Sequence, residues 1–166
     1  TLAHGLLKVD LGVHIGGFVA DTSFSLDLEN DEENKRLIAA SEEALEKAWS
    51  LVKSKSVEVR LSEVGKVIQN TIESHGFSPV TNLSGHSIEK YNLHAGDTVP
   101  NIDNKGAQKF KEGIYAIEPF TTNGNGKVHD GKPSGIYELV EERNTRSPIA
   151  REVLTFVQKE YETLPF

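Results

Sequence analysis

The sequence predicts one domain of the mixed α/β (α+β) class. Two alternating runs around Gly16-Gly17 predict a β-hairpin, and apolar residues at helical spacing predict helices at 30–54 and 62–75. A turn-rich stretch of short apolar runs follows Phe77. With 166 residues, of which 37% are apolar, the chain is long enough to bury a single core.

The first element is a hairpin with one apolar face. Leu6 to Ile15 and Phe18 to Leu28 alternate apolar and polar residues, and the two glycines between them suit a two-residue turn. Such a turn places Ile15 opposite Phe18, and the register that follows collects on one face Leu7, Val9, Leu11, Val13, Ile15, Phe18, Ala20, Thr22 and Phe24. We expect the helices that follow to cover this face.

Two amphipathic helices come next. The first runs from Asn30 to Ser54, with Asn30 or Asp31 as its cap and acidic residues in its first turn. The second runs from a Ser62 cap to His75, and Gly76 ends it.

The second half of the chain is less regular. Short strand-like runs at 94–100 and 114–120 are separated by Gly, Pro and Asn, and an Asn/Gly-rich loop occupies 122–127. From Ser147 the pattern is helical again and stops at Pro165. No internal repeat is visible.

Composition excludes several classes of protein. The net charge of −7, with scattered lysines and arginines, disfavours binding to nucleic acid or anionic membranes. No stretch approaches about 18 consecutive apolar residues, so the pattern excludes a membrane-spanning helix. The absence of cysteine leaves carboxylates and imidazoles as metal ligands. Because methionine is also absent and Thr1 directly precedes a strand-like run, we expect both ends to be truncations.

Asp10 and Asp21 form the most informative acidic pair. In the hairpin register Asp21 lies opposite Gly12. Asp10 lies opposite Ser23, so the two acids are diagonal neighbours with Cα atoms roughly 7–8 Å apart. Like charges in mid-strand repel, and a shared cation would remove the repulsion. A solvated sheet face explains the pattern about equally well.

Three further residues are candidate site residues. His86 and His94 are flanked by glycines, where the backbone can approach a ligand closely, and neutral imidazole binds first-row metals. Glu118 stands in an apolar run, where a buried carboxylate needs a cation or several donors. Asp10, Asp21, His86 and Glu118 together are suited to Mn, Fe, Co or Zn, and two such ions could activate water for hydrolysis. No serine-hydrolase, phosphate-loop or His-Glu-x-x-His motif competes.

Over almost its whole length the chain resembles archaeal type II methionine aminopeptidases, which are metallopeptidases of family M24. The motifs that carry the resemblance are, in order, Lys8-Val9-Asp10-Leu11-Gly12-Val13-His14-Ile15, Ala20-Asp21-Thr22, Ser84-Gly85-His86-Ser87-Ile88, Leu93-His94-Ala95-Gly96 and Ala116-Ile117-Glu118-Pro119-Phe120.

The resemblance implies a pita-bread fold, a curved antiparallel sheet with helices on its outer face, and two divalent metal ions (Co, Mn, Fe or Zn). Asp10 would bind one metal, Asp21 would bridge both, and His86 and Glu118 would bind the other. Glu118 would also shuttle a proton, and His94 would contact the substrate near the scissile bond. Residues 1–135 would be part of the catalytic core, and residues 136–166 the start of a helical insertion subdomain.

The implied reaction is removal of the initiator methionine from nascent polypeptide N-termini, with a small second residue favoured. The resemblance also implies a cytoplasmic monomer that meets its substrates at the ribosome, with no direct nucleic-acid or membrane partner.

Two family residues have no counterpart, a C-terminal glutamate that bridges both metals and an N-terminal substrate-binding histidine; Gly16 also replaces a common aspartate. We therefore expect weak metal binding and poor catalysis by these 166 residues. Two alternatives remain: a pita-bread peptidase that cleaves X-Pro bonds, and a non-catalytic binding homologue. The His94-Ala95-Gly96 motif argues against the first, and the four retained ligands argue against the second.

Overall fold

The structure is a computed structural model that describes residues 4–166, so the expected start at Thr1 lies outside the described residues. Its first element is the hairpin of β1 (Leu6–Ile15) and β2 (Phe18–Asp27). The register runs from Ile15 opposite Phe18 to Leu6 opposite Asp27, as predicted. Gly16 and Gly17 have φ values of 55° and 84°, a left-handed pair that glycine adopts without steric cost.

Helix α1 spans Glu32–Lys55, and a short 3-10 turn follows it. Of the two predicted caps, Asp31 is the one that acts. Its Oδ1 accepts hydrogen bonds from the N–H groups of Glu33 and Asn34 at 2.9 and 3.0 Å. These bonds satisfy donors that have no partner inside the helix, which fixes where α1 begins.

Helix α2 spans Leu61–Ser74, so the prediction of Ser62 as its cap is wrong. The Glu63 carboxylate accepts the Arg60 N–H at 2.9 Å at the start of the helix. The Ser62 hydroxyl donates instead to the Gly106 carbonyl at 2.6 Å, a contact between distant segments that sequence spacing does not reveal. Gly76, at φ 81°, follows the helix as predicted.

The core lies where α1 and α2 pack together. Ala40, Ala44 and Ala48 of α1 are fully buried, and their small side chains let the two helices approach closely. The other buried members of this cluster are Val59, Leu61, Val64, Ile68, Ile72, Phe77, Val99 and Phe110.

The apolar face of the hairpin is exposed, so the expectation that α1 and α2 cover it is wrong. Val13, Ile15 and Phe18 are 64%, 83% and 64% exposed. The two helices bury their apolar stripes against each other instead, and α2 also packs against the later strand Thr98–Pro100. The hairpin turns its acidic face inward, and Asp27 Oδ1 accepts a hydrogen bond from Asn34 of α1 at 3.1 Å.

Five short strands follow in the second half: β3 (Ser78–Pro79), β4 (Ser84–Ile88), β5 (Thr98–Pro100), β6 (Ile114–Ala116) and β7 (Thr121–Thr122). They form two antiparallel sheets, β3-β7 and β5-β4-β6, separate from the hairpin. The strand-like runs predicted at 94–100 and 114–120 are thus shorter than expected, and both His94 and Glu118 lie outside strands.

Helix α3 spans Pro148–Glu160, with the Ser147 hydroxyl accepting from the Ala150 N–H at 3.4 Å. It ends five residues earlier than the predicted stop at Pro165. The backbones of Tyr137 and Phe166 exchange two hydrogen bonds of 3.0 and 2.8 Å. Within residues 4–166, no helix combines the length and apolarity that crossing a bilayer requires.

Candidate metal centre

Three side chains from separate segments converge at the inward face of the hairpin. Asp21 comes from β2, His86 from β4 and Glu118 from the segment after β6. One ligand atom from each lies within 4.8 Å of the other two. His86 Nε2 is 3.4 Å from Asp21 Oδ2 and 3.8 Å from Glu118 Oε1, distances that leave space for an ion between them. We call these three residues the ligand cluster.

Close packing of two strands places His86 beside Glu118. In the β4–β6 ladder His86 pairs with Ala116, two residues before Glu118. A Cβ on Gly85 would lie 2.2 Å from the Ala116 carbonyl oxygen, so a larger residue there would force the strands apart. Gly85 therefore permits the backbone approach that brings the histidine to the carboxylates.

Without a cation, burial and like charge make the ionised form of the cluster unfavourable. Desolvation, with smaller contributions from Asp21 and then Asp10, raises the pKa of Glu118 from 4.5 to about 7. The Asp21, His86 and Glu118 side chains are 12%, 8% and 20% exposed, so water screens this repulsion poorly. A divalent cation would compensate the carboxylate charge, and oxygen and imidazole donors suit borderline first-row ions. The residues present therefore fit a metal.

Asp10 lies beside the cluster and is not part of it. It is opposite Ser23 and diagonal to Asp21, as the hairpin register predicted. Its side chain is 56% exposed, and its Oδ2 lies 3.8 Å from the Lys8 ammonium. The structure thus brings together three of the four predicted ligands and leaves Asp10 within electrostatic reach of Glu118.

His94 lies against the cluster from the solvent side. Its ring is edge-on to that of His86, with centroids 4.4 Å apart and planes at 67°. The loop that carries it is tied to Ser87: the Ala95 N–H donates to the Ser87 carbonyl at 2.9 Å, and the Asp97 N–H to the Ser87 hydroxyl at 3.1 Å. An exposed imidazole beside a buried candidate ligand is placed where it could meet a substrate directly.

Sequence reasoning missed Lys8 as a site residue. Its ammonium lies 4.2 Å from the centroid of the Phe120 ring and lowers the pKa of Glu118, against the stronger effects that raise it. The signal was available, because the strand alternation puts Lys8 and Asp10 on the same face of β1.

A profile of metallopeptidase family M24 matches residues 2–152. The chain belongs to this family. The methionine aminopeptidase of Pyrococcus horikoshii is 46% identical over 164 residues, which cover 96% of this M24 chain and 53% of that protein. This M24 chain spans about half the length of the curated relatives it matches.

Solved structures agree with the family assignment. The methionine aminopeptidase of Thermotoga maritima superposes with a TM-score of 0.68 at 31% identity, covering 78% of this M24 chain and 52% of that one. A thermophilic Arx1 reaches a TM-score of 0.72 at 16% identity, over 97% of this chain and 51% of that one, a likeness of fold alone. The expected α/β pita-bread fold is confirmed by these neighbours.

Proposed function

We propose that this M24 chain is part of a metal-dependent methionine aminopeptidase, which removes the initiator methionine from nascent polypeptide N-termini. The observation that carries the proposal is the ligand cluster. Three side chains of types that bind metals come together from distant segments, at a place where burial and like charge would otherwise make their ionised forms unfavourable. The relatives that share 46% and 41% of its residues bear the name of this enzyme.

The proposed site contains two divalent ions (Co, Mn, Fe or Zn) held by Asp10, Asp21, His86 and Glu118. Asp21, His86 and Glu118 already face one another, whereas Asp10 would complete the second position by turning its exposed carboxylate from Lys8 toward Asp21. When bound, such ions supply Lewis acidity to a peptide carbonyl and to water.

Protein side chains would transfer the proton and orient the substrate. Burial raises the pKa of Glu118 to about 7 in the metal-free chain. In the loaded site its charged carboxylate would take a proton from the attacking water and pass it to the departing amine. A cation beside Glu118 returns it to the charged form that ligation needs. His94, exposed beside His86, would orient the peptide near the scissile bond.

We also propose that residues 136–166 begin a helical subdomain distinct from the core formed by residues 1–135. Helix α3 buries Val157 but leaves Ile149, Val153 and Phe156 exposed by 74%, 55% and 56%. The proposed enzyme is a monomer that acts in the cytoplasm, where nascent chains leave the ribosome.

Metal titration tests the site directly. We expect Co²⁺ to bind the chain weakly, with visible d–d absorption, and binding to be lost in His86→Ala. The matched control is His75→Ala, which removes a histidine that pairs with Glu43 away from the cluster. Wild-type affinity in His86→Ala, or equal loss in both variants, would contradict the proposed metal site.

Peptide hydrolysis tests the reaction. Because these 166 residues are expected to catalyse poorly, we expect slow Co²⁺-dependent release of methionine from Met-Ala-Ser that disappears in His86→Ala, and no cleavage of Phe-Pro-Ala. Cleavage of Phe-Pro-Ala alone would favour the X-Pro peptidase. Metal binding without hydrolysis of either peptide would favour the non-catalytic homologue.

A further inference from the structure

Asn101 is a buried polar residue that joins the two segments bearing His86 and Glu118. It follows β5 and is 1% exposed. Its Nδ2 donates to the Leu83 carbonyl at 3.0 Å, and its Oδ1 accepts the Phe120 N–H at 3.1 Å. Leu83 directly precedes β4, and Phe120 lies two residues after Glu118. We call these two hydrogen bonds the Asn101 bridge.

The bridge acts where strand pairing stops. The β4–β6 ladder pairs Ile88 with Ile114 and ends with His86 opposite Ala116. From 117 to 120 the chain is outside any strand, so no ladder hydrogen bond holds Glu118 at a set distance from β4. The Asn101 amide supplies that connection from its own side chain.

The surroundings of Asn101 are rigid. A Cβ on Gly65 of α2 would lie 2.2 Å from the Ile102 carbonyl oxygen and 2.8 Å from that of Pro100, so the backbone on both sides of Asn101 is packed tightly against α2. Phe120 is held on its other side too, because its carbonyl accepts the Val80 N–H at 2.9 Å. A shift of the Asn101 side chain would therefore move the Glu118 segment relative to β4.

We propose that Asn101 is a positioning residue that sets the separation of His86 and Glu118 for metal binding. This inference rests on the proposed metal site. A side-chain amide carries both a hydrogen-bond donor and an acceptor in one plane, as the bridge requires. A buried residue that could only donate or only accept would leave one of the two backbone groups unpaired.

The test compares Asn101→Leu, which keeps the branching of the side chain and removes both hydrogen bonds, with Ile72→Ala, which destabilises α2 at a core position outside both bridged segments. We expect Asn101→Leu to lower Co²⁺ affinity by roughly 10–100-fold and to alter the d–d spectrum, as for other residues that orient metal ligands. Ile72→Ala should keep the wild-type spectrum and affinity. Wild-type Co²⁺ binding in Asn101→Leu, or an equal loss in Ile72→Ala, overturns the inference.

Two further measurements keep the test decisive. If Asn101→Leu does not fold, Asn101→Ser replaces it, because a hydroxyl with room for a water is tolerated but cannot reach both partners. In metal-free protein, hydrogen exchange at the Phe120 amide should quicken in these variants, and the His86 ring signals should shift. If wild-type protein binds no Co²⁺, the proposed metal site fails, while unchanged Phe120 exchange separately refutes the positioning role.

Discussion

Replacing Glu118 with glutamine removes a charge that the metal-free fold accommodates poorly. The carboxyl is four-fifths buried beside Asp21, and its pKa rises from 4.5 to about 7. Since each pKa unit corresponds to 1.36 kcal/mol, the ionised group lowers the stability of the metal-free fold by about 3 kcal/mol. Glu118→Gln keeps the shape and removes this contribution.

The pH dependence has a definite sign. Below pH 4.5 Glu118 is protonated in both the folded and the unfolded chain, so its ionisation contributes nothing. Between pH 4.5 and about 7 the unfolded chain gives up this proton while the folded chain keeps it, so the wild type loses stability relative to Glu118→Gln as pH rises. Above about pH 7 the difference is constant.

Urea unfolding in EDTA, followed by circular dichroism from about pH 4 to about pH 8, measures this difference. Glu46→Gln on the exposed side of α1 is the control for loss of one negative charge. Adding excess Co²⁺ near pH 8, with EDTA omitted, should narrow the gap, because Glu118 would become a ligand that the variant lacks. A gap between wild type and Glu118→Gln that does not widen between pH 4.5 and about 7 would refute the electrostatic account of the cluster.

Three other predictions concern packing. Gly85→Ala would set a Cβ 2.2 Å from the Ala116 carbonyl oxygen, so we expect a loss of about 1–3 kcal/mol in urea unfolding, and an unchanged midpoint would show that the strands can separate freely. Ile72→Ala empties a fully buried core position and should cost about 2–5 kcal/mol in the same assay, whereas a loss below about 1 kcal/mol would mean that the core closes around the gap. Ile15→Lys, at a position 83% exposed, should change stability by less than about 0.5 kcal/mol in urea unfolding, and marked destabilisation would mean that the apolar face is covered in solution.

The hairpin shows which structural features can be predicted from the sequence pattern and which cannot. Alternation and the Gly16-Gly17 turn determine both strands, their register and the diagonal placement of Asp10 and Asp21, because a two-residue turn leaves one way to pair the strands. Which face points inward did not follow from the pattern. The apolar face of the hairpin is the exposed one, because the two helices pack against each other and against residues from the second half of the chain.

The ligand cluster was likewise predicted from sequence only in part. Residue type indicated Asp21, His86 and Glu118 as candidate metal ligands, and family resemblance predicted that they share one site. Their mutual distances depend on segments far apart in sequence: the close approach at Gly85, the end of the ladder at Ala116 and the amide of Asn101. Asn101 had no sequence signal, because its importance comes from two backbone groups 18 and 19 residues away.

The sequence by itself determined the element types, the hairpin register and the chemical character of the site, because each depends on local periodicity or on what a side chain can bind. Only the tertiary structure decided that Asp10 stays outside the ligand cluster, that Glu118 carries a raised pKa, and which hairpin face is exposed. These properties depend on burial and on distances between segments that meet only when the chain folds, and no local pattern encodes them.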